Sequence, residues 1–256
     1  MDSATSYLSS SRSKRSANRR LTRASGVPFR PMAVVLVVVL GVILVAGVGL
    51  IGYYARKRRI QEWQQTAAHL GFQYSTDDPF DLLNLPFALF RRGDGRGTEN
   101  VVWGQKDGVE IKAFEFWDYD ESSDTKGNTS RSYEHFSCSL LPVDAYCPHT
   151  TIAPEGFFSR IGRALGFHDI EFESEDFNRA WKVESTNPKF ANYLVDARMM
   201  QWLLDNKGWR FELCDRWMLT YRGRVRPREI WSVIEAAREF HMNVPKVIGE
   251  TYGEGS

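Results

Sequence analysis

MAVVLVVVLGVILVAGVGLIGYY, Met32–Tyr54, is a run of 23 residues without one charged side chain. As a helix it would extend about 34 Å at 1.5 Å per residue, enough to cross a hydrocarbon core of about 30 Å. Fourteen of the 23 are Val, Leu or Ile, which favours insertion by about 4–8 kcal/mol. Tyr53 and Tyr54 stand where an interfacial aromatic belt is expected. A buried helix of a soluble protein is seldom this long or this apolar all round. The run also exceeds the apolar core of a signal peptide, and Arg56-Lys57-Arg58-Arg59 follows it in place of a small-residue cleavage site. The stretch therefore reads as one uncleaved transmembrane helix, and the rest of the chain is organised around it.

The flanks set the orientation and pull in two directions. Seven basic residues precede the span (Arg12, Lys14, Arg15, Arg19, Arg20, Arg23 and Arg30) and four follow it, Arg56 to Arg59. A plain positive-inside count favours a cytoplasmic N-terminus. The four later charges, however, are contiguous and adjoin the span, whereas the seven are scattered. Met32 also opens the apolar run. Two readings of residues 1–31 stay open: a disordered basic tail, or an upstream over-reading with Met32 as the start.

Beyond the span, Ile60, Trp63, Ala67 and Leu70 recur at helical spacing up to Gly71, a helix-capping residue. Residues 55–71 are thus a basic collar and helix, 72–248 a folded domain, and 249–256 a frayed end. Within the domain, Val101–Trp103 and Val109–Phe116 read as a hairpin turning at Lys106-Asp107-Gly108. The Gly93–Gly97 run reads as a turn, 118–132 as a polar loop, and Tyr133–Val143 and Thr150–Ile152 as strands. Pro154–Leu165 is expected to be a helix, and Asp169–Ser174 and Trp181–Glu184 strands. Lys189–Asn206 is expected to be helical with a break near Asp196. Trp209–Tyr221 alternates strictly, and a hairpin near Asp215 is preferred over one long strand. Pro227–Met242 is a closing amphipathic helix. Strands in short consecutive hairpins with irregularly interspersed helices indicate an α+β domain: a mainly antiparallel sheet with packed helices, preceded by one transmembrane helix.

Composition excludes more than it identifies. The 256 residues are 43% hydrophobic and 25% charged, with three Cys and a formal net charge of +1. Collagen-like, wholly disordered and disulfide-framework chains are ruled out. The near-neutral total conceals a basic N-terminal part and an acidic domain: residues 60–256 hold 22 Lys and Arg against 31 Asp and Glu. An acidic domain is repelled by nucleic acid, so no nucleic-acid partner is expected.

Motifs that carry chemistry are sparse. His135, Cys138, Cys147 and His149 form a mixed Cys/His set of the kind zinc uses, but on a strand His135 and Cys138 point to opposite faces. No metal is expected there. A Cys138–Cys147 disulfide would be possible only outside the cytoplasm. Asp118, Asp120, Glu121 and Asp124 offer oxygen ligands without the glycine and closing glutamate of an EF-hand. The glycine run matches neither a Walker loop nor a dinucleotide turn, so no cofactor is expected. Glu171, Glu173 and Glu175 alternate as the wet face of an edge strand would. With the 118–124 stretch they are the only candidate site for an enzyme, the alternative to a binding module. Within the span, Ala46, Gly49 and Gly52 stack on one face and would let two helices approach closely.

Phe172-Glu173-Ser174-Glu175-Asp176-Phe177-Asn178-Arg179-Ala180-Trp181-Lys182-Val183, with Asp196-Ala197-Arg198-Met199-Met200, resembles a family of uncharacterised bacterial single-pass membrane proteins. The likeness covers Met32 to Ile248. It implies an N-terminal span, a basic stop and an α+β domain in the cytoplasm, and it implies no chemistry. The same stretch has a physical reading: Ser174 caps a short helix, and Phe177 and Trp181 reach the core. The expected function is a membrane-tethered module that binds a protein or small ligand; headgroup recognition by Arg56–Arg59 is a third possibility.

Overall fold

The alternation in residues 109–123 sends Ile111, Ala113, Glu115, Trp117 and Tyr119 to one side and Phe114, Phe116 and Asp118 to the other. That strand lies inside a sheet with a hydrophobic core on each face. The structure, a computed structural model, describes residues 31–125, 127–155 and 167–253. The chain divides into two units, residues 1–51 and 52–256. In the first, helix α1 (Pro31–Leu70) begins, and Val34 to Ile51 leave their large apolar side chains exposed. By length and composition this helix is able to cross a membrane.

In the second unit α1 ends at Gly71, which takes a left-handed φ of 72°. The Phe72 N–H then donates to the Ala67 carbonyl at 2.8 Å, closing the helix as a glycine C-cap does. Strand β1 (Gln73–Ser75) leads into a connection with two 3₁₀ turns, Leu82–Asn84 and Leu89–Arg91. There follow β2 (Gly95–Lys106), β3 (Val109–Ser123), β4 (Thr129–Pro154), β5 (His168–Ile170), α2 (Glu175–Ala180), β6 (Trp181–Ser185), α3 (Pro188–Leu194), α4 (Ala197–Asp205), β7 (Arg210–Gly223), α5 (Ile230–Asn243) and α6 (Lys246–Tyr252). The sheet runs β1-β2-β3-β4-β6-β5, with β7 also paired to β4, and every pairing is antiparallel. The α+β class follows directly.

One core joins Trp63 and Ala67 of α1 to α3–α6 across the sheet. Phe211 of β7 stacks on Phe240 of α5 with ring centroids 4.2 Å apart. The opposite core seats Leu82, Phe87, Leu89 and Phe90 of the connection on Phe114, Phe116, Phe136 and Tyr221.

Several local expectations hold. Asp107 and Gly108 both take positive φ, at 51° and 80°, the signature of a type I′ hairpin turn. Ser174 accepts the Phe177 N–H at 3.3 Å, and Phe177 and Trp181 are buried. The helical run breaks at Asp196, whose carboxylate accepts the Met199 N–H at 2.8 Å.

Other expectations are corrected. The 118–132 stretch is mostly sheet: β3 and β4 pair from Lys112–Leu140 out to Ser123–Thr129. The glycine run is not a free turn, since Gly95 and Gly97 lie in β2 opposite Tyr119 and Trp117. A Cβ at either position would sit within 2.5 Å of the facing ring, so glycine is what lets the rings lie across the strand. Trp209–Tyr221 is not a hairpin. Arg210–Gly223 is one strand along β4, and Asp215, at φ 51°, absorbs an irregularity in the pairing. Of Asp169–Ser174 only Asp169 and Ile170 are in a strand, the three-residue β5 (His168–Ile170), and the end expected to fray at Gly249 is helical through Tyr252, whose ring packs edge-on against Phe190. Pro154 closes β4; the rest of the helix expected to Leu165, from 156 on, lies outside the described residues, as does the tail, 1–30.

Gly97→Val is expected to lower stability by about 1–3 kcal/mol, because the side chain collides with the Trp117 ring. Gly223→Ala, where a Cβ meets nothing, should stay within about 0.5 kcal/mol of the parent in the same denaturation experiment.

Candidate functional site

Glu115 faces α1 because it is in phase with Ile111 and Ala113, yet it is a carboxylate at 0% exposure. Burying such a charge is costly unless it is paired and hydrogen-bonded. Four residues supply the pairing. Arg59 donates through Nε to Oε2 at 3.2 Å and through a second guanidinium N–H to Oε1. Arg224, just past the end of β7, donates to Oε1 at 2.8 Å and Oε2 at 3.2 Å. Trp63 Nε1 reaches Oε2 at 3.3 Å and Asn100 Nδ2 at 2.8 Å.

Local sequence explains the convergence. Arg59 and Trp63 are one helical turn apart and share a face of α1. Asn100 sits in a bulge of β2 between Glu99 and Val102, with φ 54°, and the bulge re-aims its side chain at the carboxylate. Tyr74 fixes the amide by donating to Asn100 Oδ1 at 2.9 Å. Burial alone would raise the Glu115 carboxyl, but the hydrogen bonds and charges of Arg224 and Arg59 outweigh it and hold the group below its ordinary value.

Clefts line both flanks of this docked helix. One, about 660 Å³, is walled by Arg59, Thr66 and His69 of α1 and by Arg226 and Arg228 before α5, with Glu62 the one acid on its walls. A second, about 410 Å³, shares Thr66, His69 and Arg228 and adds Leu70, Phe72, Lys106 and Trp231. The Lys106 ammonium lies 3.7 Å from the Trp231 ring centroid. Sharing Thr66, His69 and Arg228, the two adjoin as one groove, and the second part adds apolar walls to the basic ones. A third cleft, about 310 Å³, contains Arg56, Ile60, Glu99 and Arg224.

Of the four collar residues, Lys57 and Arg58 are exposed, Arg56 borders the third cleft, and Arg59 is drawn into the Glu115 clamp. The proposed metal set does not assemble. His135 belongs to a ring cluster with Tyr133, Cys138 to the core under the 82–91 connection and Cys147 to the other core. His149 Nε2 is 2.5 Å from Glu212 Oε1. Glu212 is itself buried and accepts the N–H groups of Ala88 and Leu89, the latter at 3.3 Å. No group of three or more metal-ligating side chains occurs among the described residues, and all three cysteines are free.

The acidic stretches are not brought together either. Asp118 is buried and ion-paired with Arg92 at 3.2 Å; burial raises its carboxyl and Arg92 opposes the rise. Glu121 pairs with Arg131 at 2.9 Å, and Asp124 accepts the Asn128 N–H at 2.8 Å. Glu171, Glu173 and Glu175 are exposed around β5 and α2, and none of these acids lines the clefts along α1. Asp120 is exposed on the ribbon. Sequence reasoning missed Glu115, Asn100, Arg224, Arg226 and Arg228. The only available signal was a charged residue in phase with Ile111 and Ala113 on an otherwise inward-facing side.

No family model matches the chain, and no curated protein matches it in sequence. Among solved structures, the crystal structure of the mycobacterial trehalose monomycolate transport factor A, TtfA, is similar. It aligns with a TM-score of 0.52 and 17% identity over 73% of this chain and 96% of that chain. Identity at that level shows a shared fold and nothing further.

Glu115→Gln should destabilise the domain by about 3 kcal/mol, the order seen when one partner leaves a buried ion pair. Because the folded carboxyl titrates below its ordinary value of 4.5, its contribution is complete above that value and is lost as pH falls through the lowered one. The stability gap between parent and variant, followed by denaturation against pH, should therefore be widest near neutrality and close in the acid range below 4.5.

Proposed function

We propose that this chain is a single-pass protein of the bacterial plasma membrane whose α+β domain is a tethered interaction module. One observation carries the reading: α1, whose exposed apolar run is long enough to cross a membrane, goes on to wall an open groove on the domain through Thr66 and His69, a surface suited to a partner rather than an enclosed reaction cavity. The partnerless arginines of the groove beside α1 give that surface a chemistry.

The resemblance to bacterial single-pass proteins supports the same assignment and a cytoplasmic domain. So does the adjacency of Arg56–Arg59 to the apolar run. The solved structure that shares the fold is named a transport factor, a name compatible with an interaction module. Ala46, Gly49 and Gly52 leave one helix face open to a second copy.

A photo-crosslinking residue at Thr66 of the full chain, activated in native membranes, should yield a discrete adduct that the same residue at Lys207 does not. A chain recovered in the soluble fraction, or equal adducts at both positions, overturns the reading. Sidedness is tested by Arg131→Cys. The native thiols leave little background, since burial pushes Cys147 and Cys214 up to about 12 and Cys138 well above its ordinary value. Labelling by a permeant maleimide and protection from an impermeant one in intact cells is the outcome expected of a cytoplasmic domain.

A further inference from the structure

The groove beside α1 reverses the charge of the domain that contains it. Residues 60–256 carry nine more acidic than basic side chains, yet the groove presents Arg59, Arg226, Arg228 and Lys106 against one lining acid, Glu62. Arg59 is neutralised by Glu115. Arg226 and Arg228 are exposed and have no ion-pair partner among the described residues. Glu229, the nearest acid in sequence, uses its carboxylate on the Arg226 backbone N–H at 3.2 Å. Pro227 between them is buried, so the turn is anchored while both guanidinium groups stay free. Two unspent cations on a fixed turn of an acidic domain form a local attractor for negative charge.

The other end of the groove adds the apolar walls of Leu70, Phe72 and Trp231 beside Lys106 and Arg228. A ligand that fills both ends carries acidic groups at one end and a bulky apolar group at the other. Charge and length decide which class of ligand this is. The acidic remainder of the domain is repelled by an anionic membrane surface, which disfavours a lipid headgroup in the groove. Leu70 lies 11 residues beyond Arg59, about 16 Å along the helix, a length that about five residues of an extended peptide at 3.3 Å each would match.

Resting on the module reading above, we propose that this groove binds an acidic peptide segment of a partner protein, its carboxylates on Arg226 and Arg228 and an adjoining apolar or aromatic side chain against Leu70, Phe72 and Trp231. Repulsion from the acidic remainder of the domain makes the site selective: an acidic segment is held only where it reaches these two arginines. Paired with an apolar anchor, the electrostatic term sets register and on-rate while the buried side chain sets residence time.

The test uses the full chain in phosphatidylcholine nanodiscs and fluorescence polarisation with labelled peptides EEEELWL and LWLEEEE, which sample both directions of the groove. Saturable binding of one of them is expected. It should weaken at least tenfold in the R226E/R228E double variant, and at least tenfold when the peptide is changed to EEEESGS or QQQQLWL. Both arginines are exposed and unpartnered, so an unchanged unfolding midpoint separates lost binding from lost folding. Absence of saturable binding by either peptide, or equal binding by parent and double variant, overturns the proposal. So does displacement of the peptide by nanodiscs containing phosphatidylglycerol but not by those of phosphatidylcholine alone, which would assign the groove to a lipid headgroup. A discrete Thr66 adduct in native membranes together with failed peptide binding would overturn this ligand and leave the module reading standing.

Discussion

Everything on the α1 side of the sheet depends on one buried carboxylate. Glu115 occupies a position that the strand's period assigns to the core, where an unpaired charge would cost several kcal/mol. Its two arginines come from α1 and from the chain beyond β7, 165 residues apart in sequence. Asn100 and Trp63 bring β2 and the next turn of α1 to the same two oxygens. The cluster thus sets the position of α1 relative to three strands, and the clefts on both flanks of the helix exist because it is held there. An apolar residue at 115 could pack as well, but it would not select this rotation of a helix whose adjacent turns also offer Arg56 and Arg58.

A second buried carboxylate plays the corresponding part on the other face. Glu212 of β7 accepts the N–H groups at the start of the 3₁₀ turn Leu89–Arg91 and meets His149, pinning the long connection that covers the second core. The sheet is therefore held by a pair of inward-facing acids, one for the element above and one for the element below. Both sit in strands whose alternation looks ordinary. In each case the backbone or side-chain donors satisfy the charge completely, which is the condition under which a buried ion specifies a structure.

Charge is also what separates the surfaces. The sequence flanking the apolar run is basic and the domain acidic, so the domain as a whole carries the charge that anionic lipid repels. The Arg226–Pro227–Arg228 turn departs from that pattern, and neither of its exposed arginines makes an ion pair among the described residues. Surface ion pairs contribute little to stability, so two unpaired arginines cost the fold almost nothing and remain available to a ligand.

The apolar helix, its capping at Gly71, the Asp107-Gly108 turn, the Ser174 and Asp196 caps and the core face of α5 were all legible from residues alone, because each rests on contacts within a few positions along the chain. Where reading failed, the deciding contact was distant. Residues 118–132 are polar and look like a loop, but pairing with partner strands satisfies their backbone, and Gly95 and Gly97 are strand positions because the Tyr119 and Trp117 rings cover them. Trp209–Tyr221 continues as one strand because β4 runs beside it and Asp215 takes up the irregularity. The Glu115 clamp and the groove were invisible for the same reason. Sequence by itself determined which segment is long and apolar enough to cross a membrane and that an antiparallel α+β domain follows, since hydrophobicity and period act locally; only tertiary structure brought Arg59, Glu115 and Arg224 together, since a charge acquires a partner only when the fold carries one to it.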